Sequence, residues 1–235
     1  IQRLTIPPHL TVLEENIFNN CKKLEKIEFT ENSELKIIED FAFNSSSIEC
    51  ITIPPSLIEL KPKWAINALN IRKICVMKKN PVFSMYENKF LLRKSSPEKE
   101  NFDVLVYSFR SIEKVTIPNF IEIIGTHAFY QCENLKQVEI PNDSKLKIIE
   151  ENAFDLTSIE YFTIPSRLEK VEDRCFPSKL NKISIMPDNK FFKLYDGKII
   201  IGKSSSDKEN FDTILYSFPC IEKVTIPSSI EIINS

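Results

Sequence analysis

The sequence predicts a solenoid of short stacked repeats, mostly β, with one strand per rung. Three observations predict it. The last apolar residue before a proline-type turn recurs at Ile6, Phe29, Ile53, Val76, Ile117, Ile140, Ile164, Ile185 and Ile226, at steps of 23, 24, 23, 41, 23, 24, 21 and 41. Apolar residues alternate with polar ones up to each marker, as in Lys26-Ile27-Glu28-Phe29. Four rungs then recur as a block, so that ENSELKIIEDFAFNSSSIECITIP parallels NDSKLKIIEENAFDLTSIEYFTIP, and KSSPEKENFDVLVYSF parallels KSSSDKENFDTILYSF. No single copy can bury its own apolar side, so it is stable only within a stack.

Each rung opens with a strand. In the second, period-two alternation turns Ile27 and Phe29 inward and Lys26 and Glu28 outward. Proline follows at Pro7, Pro54, Pro118, Pro141, Pro165 and Pro227, where a missing donor disturbs the ladder least. The return half carries a second apolar set, Leu10, Leu13, Ile17 and Phe18 in the first rung, and its Glu14-Glu15-Asn16 stretch predicts a short helical or 3₁₀ turn. With only 3 glycines, the turns must be made largely by Asn, Asp, Ser and Pro. The third rung has Trp64-Ala65 where its sisters have Ala-Phe or Ile-Phe, an exchange that keeps the local core volume.

The fourth and eighth rungs are longer. Tyr195-Asp196-Gly197-Lys198 is a hairpin turn between apolar runs, and Tyr86-Glu87-Asn88-Lys89 is its counterpart. A polar loop and a strand through Tyr107 or Tyr216 follow, so two antiparallel excursions are expected in place of the short return. The chain reads as a single repeat domain over 1–235 cut from a longer array. Residues 1–111 form a first four-rung block, 112–220 a second, and 221–235 the start of a third.

Phrases such as Ile112 to Cys132, Leu24 to Phe43 and Leu135 to Phe154 follow L-x-x-I-x-I-P-x-x-[IL]-x-x-I-x-x-x-A-F-x-x-C. They closely resemble the BspA-like leucine-rich-repeat family, and a period near 23 lies in the leucine-rich-repeat range. The resemblance implies a right-handed leucine-rich-repeat solenoid with short helical or 3₁₀ turns and two hairpin excursions. It also implies a role on the surfaces of mucosal bacteria or parasitic protists in adhesion to host proteins and cells, although some such arrays are intracellular. It brings no catalytic motif.

Chemistry is sparse. There is no Cys-x-x-Cys or His-Glu-x-x-His arrangement, no glycine-rich phosphate loop and no Gly-x-Ser-x-Gly turn, so neither a metal site nor a cofactor nor catalysis is expected. Glu14-Glu15 and Glu150-Glu151 recur at one turn of the repeat rather than across a cleft. His9 and His127 read as partly exposed turn residues. Cys21, Cys132 and Cys175 occupy core slots as small apolar fillers. Cys50, Cys75 and Cys220 lie elsewhere; Cys50 and Cys75 fall on a strand diagonal where a disulfide is an open alternative. Asn44-Ser45-Ser46 and Asn142-Asp143-Ser144 are glycosylation sequons.

A net charge of −2 gives no electrostatic case for nucleic acid or an anionic membrane, and no apolar run is long enough to span a bilayer. What remains is the outward strand face. Its candidate protein-binding residues are Lys26, Glu28, Lys73, Lys114, Thr116, Gln137, Glu139, Tyr161, Thr163, Lys182 and Lys223. At about 4.8 Å per strand, nine rungs would present a face on the order of 40 Å long, suited to a protein. The expected function is a non-enzymatic protein-binding domain of a surface-exposed or secreted adhesion or host-interaction protein; the alternative is a cytoplasmic scaffold.

Overall fold

The computed structural model describes residues 1–205, 208–218 and 223–233. Contacts divide the chain into two compact units, Ile1–Arg110 and Ser111–Ser235. Each unit is a solenoid built rung upon rung.

In the first unit the strands are β1 (Arg3–Thr5), β2 (Val12–Leu13), β3 (Lys26–Glu28), β4 (Ile37–Ile38), β5 (Cys50–Ile53), β6 (Glu59–Leu60), β7 (Lys73–Val76), β8 (Phe83–Tyr86), β9 (Phe90–Arg93) and β10 (Val104–Ser108). β1-β3-β5-β7 form the parallel front sheet, in a register that keeps the repeat: Arg3 opposite Lys26, Lys26 opposite Cys50, and Cys50 opposite Lys73. β2-β4-β6 form a second parallel sheet in the return halves. Ile27, Ile51 and Ile74 of the front strands meet Leu13, Ile38 and Leu57 of the returns in one buried core, which is the reason for the two apolar sets in each repeat.

The return turns correct the sequence reading. Among the described residues they contain no helix or 3₁₀ turn. Four of them are pairs of tight turns whose corner residues have positive φ, at Asn16 and Asn20, Phe41 and Ser45, His127 and Gln131, and Asn152 and Leu156, while the third and seventh rungs have one such corner each, at Asn67 and Arg174. A left-handed residue every fourth position stops helical propagation. The freed N–H groups bond across to the next rung instead: Phe18 to the Ala42 carbonyl at 2.9 Å, Asn20 to Asn44 at 2.9 Å, and Phe129 to Ala153 at 2.8 Å. The corners are also less restricted to Asn, Asp and Ser than a glycine-poor sequence suggests, since Phe41, His127, Leu156 and Arg174 all adopt φ above 50°. Leu156 is half-exposed at such a corner, where two sister positions hold Asn20 and Asn67. Leu156→Asn is therefore expected to stabilise the chain by about 0.5–1 kcal/mol in urea unfolding; an unchanged midpoint would mean the corner carries no strain.

In the second unit the strands are β11 (Lys114–Thr116), β12 (Ile123–Ile124), β13 (Gln137–Glu139), β14 (Ile148–Ile149), β15 (Tyr161–Ile164), β16 (Lys170–Val171), β17 (Lys182–Ile185), β18 (Phe192–Tyr195), β19 (Ile199–Gly202), β20 (Thr213–Ser217) and β21 (Ile232–Ile233). β11 pairs with β13 and β15 with β17 on the front; β12, β14 and β16 pair behind them, all parallel. In the ninth rung β21 forms in the return half, but residues 223–227, including Lys223, form no front strand, and Ile226 is about half-exposed. Cys220 and the expected block boundary beside it lie outside the described residues.

Both excursions are three-stranded antiparallel sheets, β8-β9-β10 and β18-β19-β20. Their first turns have positive φ at both central residues, Glu87-Asn88 and Asp196-Gly197, as a type I′ hairpin requires. Asn80 and Asn189 hold the entries, each donating from Nδ2 to two carbonyls of the preceding rung and accepting two N–H groups at Oδ1.

A column of aromatics runs through each unit. Phe18 stacks on Phe43, Phe43 meets Trp64 edge-on at 6.0 Å, and Trp64 meets Tyr107 at 5.4 Å. Trp64 and Ala65 are both buried, so the exchanged pair fills the core as expected. In the second unit the column is Phe129, Phe154, Phe162, Phe176 and Tyr216. His127 departs from expectation: it is buried rather than partly exposed, with its ring edge-on to Tyr130 at 4.9 Å.

Candidate functional site

The front sheets carry the outward side chains, and in the second unit alternation sorts them cleanly: Val115, Val138, Phe162 and Ile183 are buried, while Lys114, Gln137, Tyr161 and Lys182 are exposed. In the first unit Lys26 and Glu28 form an ion pair with each other, and Arg3 lies 3.9 Å from Glu28. The Lys26 hydrogen bond, with Lys26 and Arg3 as positive neighbours, holds the Glu28 carboxyl below its usual range. Lys73 lies exposed on β7, opposite Cys50. Cys50 and Cys75 are diagonal neighbours, both half-buried and both free. Burial, and then the adjacent Cys75, push the Cys50 thiol up, so it is a poor nucleophile at neutral pH.

The second unit gathers the rest. Glu139 is the hub of one group: Lys114 Nζ reaches it at 2.8 Å, Thr116 Oγ1 donates at 3.0 Å and Gln137 Nε2 at 3.1 Å. Those hydrogen bonds, from Lys114 first and Thr116 second, lower its pKa. The neighbouring strand pair β15–β17 holds the second group. Tyr161 is 47% exposed, yet its hydroxyl lies 2.6 Å from Ser184 Oγ and accepts from Thr163 Oγ1 at 3.0 Å. Lys182 Nζ sits 6.0 Å from the centre of the Tyr161 ring. Hydrogen bonds from Ser184 and Thr163, helped by Lys182, lower the phenol pKa against the opposing effect of burial. Lys223 joins neither group; its carbonyl accepts from Lys198 Nζ at 2.9 Å.

This arrangement is a polar surface with one exposed aromatic ring, Tyr161. Among the described residues no three His, Cys, Asp or Glu side chains are grouped to hold a metal ion. Cys132 and Cys175 are buried, and desolvation drives the Cys175 thiol far above its ordinary value. Two buried carboxylates, Asp103 and Asp212, close the polar loops of the two excursions. Each accepts a backbone N–H and a hydroxyl from one serine, Ser95 or Ser204, and a lysine ammonium, Lys99 or Lys208. Their signal, Ser-x-x-x-Lys-x-x-x-Asp in both copies, was readable in the sequence. These clasps are structural, since each carboxylate is already saturated by its own loop.

A model of the BspA type leucine rich repeat region matches in six copies over residues 1–91 and 103–196. The chain belongs to that family. Three solved bacterial proteins have a similar fold. The pneumococcal vaccine antigen PcpA aligns at 18% identity with a TM-score of 0.63, covering 80% of this chain and 51% of that one. A leucine-rich cell surface protein from Faecalibacterium prausnitzii aligns at 20% identity and TM-score 0.57, covering 79% and 60%. A leucine-rich-repeat protein from Eubacterium ventriosum aligns at 17% identity and TM-score 0.53, also covering 79% and 60%. This BspA-type chain thus spans half to three-fifths of those proteins, and the likeness is one of fold. No curated protein matches it. No helix among its described residues is long and apolar enough to cross a membrane.

Proposed function

We propose that this BspA-type chain is a non-enzymatic protein-binding domain of a surface-exposed protein that adheres to host extracellular or cell-surface proteins. The observation that carries the reading is the Tyr161 patch. An exposed aromatic ring is held in one orientation by Thr163 and Ser184 and flanked by Lys182, so an anchor is ready before a partner arrives. The Lys114–Glu139 group on the adjoining strands supplies a polar rim. Family membership, and a vaccine antigen and a cell surface protein among the fold neighbours, support the location.

The test is binding to a panel of immobilised host matrix and cell-surface proteins. Tyr161→Ala should weaken capture on the order of tenfold, as loss of a central aromatic anchor does, and Lys114→Glu should change it by less, through the rim. Both variants should unfold like the parent. Unchanged binding by both removes this face from consideration.

One observation favours the cytoplasmic scaffold instead. Cys21, Cys50, Cys75, Cys132 and Cys175 are free thiols, which is the ordinary state in a reducing compartment. Localisation of the intact protein decides between the two: a cytosolic protein ends the adhesion reading.

A further inference from the structure

The front face accounts for the exposed strand residues, but not for a cavity of about 680 Å³ in the return side of the first unit. Its apolar lining includes Ile58, Leu60, Pro62, Pro81 and Phe83. The cavity opens where the return sheet is interrupted. β6 ends the sheet β2-β4-β6, and β8 pairs only with β9, so two strand edges border one cavity without bonding each other. Glu59 and Lys61 donate back to the preceding rung, at Lys36 and Ile38, which by the alternation of a parallel ladder turns the Leu60 N–H and C=O to the open edge. Ile58 stands 53% exposed beside them.

The duplicated block supplies an internal control. At the matching positions it has Glu169 for Ile58, Asp173 for Pro62 and Lys190 for Pro81. Arg93 corresponds to Gly202, which has no side chain to offer, and the matching space beside Lys170, Val171, Glu172 and Asp173 is a smaller cavity of about 300 Å³ bordered mainly by charged residues. Two rungs that share a hairpin, a turn type, an asparagine entry and an aspartate clasp differ here, where the first is apolar and open. Its charge is also one-sided. Glu59 is neutralised by Lys61 at 2.6 Å, whereas Arg93, which has no carboxylate partner among the described residues, donates to the Lys94 carbonyl and Lys94 lies over the Phe102 ring.

We infer that this groove takes an extended segment of a partner protein in which apolar and acidic residues alternate, added as a strand along the β6 edge. The backbone edge bonds the main chain, Ile58 and the prolines receive the apolar side chains, and Arg93 and Lys94 meet the carboxylates. The site is separate from the Tyr161 face, so failure of either leaves the other standing.

The probe is a short fluorescein-labelled peptide alternating valine and glutamate, titrated against the whole chain by fluorescence anisotropy. A lysine-for-glutamate version and a version N-methylated at alternate amides should bind at least about tenfold more weakly. The double variant Ile58→Glu/Pro81→Lys, which carries residues the twin rung already accommodates, should lose binding tenfold with an unchanged unfolding midpoint, and so should Arg93→Gln; Tyr161→Ala should not. Equal binding of the lysine or N-methylated peptide, or full binding by the double variant, overturns the inference. So does saturation by decanoate without any peptide binding, which would make the cavity a fatty-carboxylate site. A dimer in sedimentation that Ile58→Glu dissolves would overturn it too, by making the groove a contact between copies.

Discussion

Phe154→Ala should destabilise the second unit by about 3–5 kcal/mol, the largest effect expected from one truncation in this chain. Phe154 is fully buried, stacks on Phe129 with centroids 5.0 Å apart and planes 11° from parallel, and touches Phe162 at 5.5 Å. Its removal leaves a cavity between two rungs whose spacing is fixed by backbone bonds, Phe129 N–H to Ala153 O and Phe154 N–H to Cys175 O, so the rungs cannot collapse into it. Stacking adds roughly 0.5–1.5 kcal/mol beyond the area lost. Because a solenoid is stabilised by nearest-neighbour contacts, the urea transition should also broaden as rungs on either side uncouple. Leu69→Ser, at a position 52% exposed, should stay within about 0.5 kcal/mol of the parent. A loss below about 1 kcal/mol for Phe154→Ala would show that the column is slack rather than close-packed.

The column was legible in the sequence because its period is the period of the repeat. Phe18, Phe43, Phe129 and Phe154 recur in one slot, and alternation assigns Ile27 inward and Lys26 outward with no tertiary information. The return turns were misread for a physical reason. Glu14-Glu15-Asn16 has the composition of a helical turn, and only the next rung's carbonyls, 20 or more residues away, draw the N–H groups out of that path. His127 was misread in the same way, since a corner residue is buried or exposed according to its neighbours in the stack. On the front face, the sequence placed Tyr161, Thr163 and Lys182 outward; it could not show that Ser184 locks the phenol. The groove beside β6 was invisible for another reason: it is a missing strand pairing, and periodicity records only pairings that exist.

The other large effect is tied to pH. Asp103 and Asp212 are each about 3% exposed in their side chains, so each needs its serine and its lysine. Replacing either with Ala strands a serine N–H and hydroxyl and should cost about 2–4 kcal/mol at neutral pH. Burial alone would raise both pKa values. The bonds from Ser95 and Lys99, and from Lys208 and Ser204, outweigh it and leave both carboxyls below the ordinary aspartate range. In the unfolded chain each returns to about 3.9. Between the two values the unfolded state binds more protons than the folded one, so stability rises with pH across that window. The clasps therefore contribute fully above about pH 5 and fade as pH falls through 4 toward the folded values. Urea midpoints measured from pH 7 down to pH 3 should drop steeply for the parent and more shallowly for the Asp103→Asn/Asp212→Asn pair, which starts lower. Glu28 and Glu139 are lowered as well, but they lie on the solvated front face, where ion pairs contribute little. If the two curves run parallel, the acid sensitivity belongs to other carboxylates and the clasps hold their loops without holding the fold.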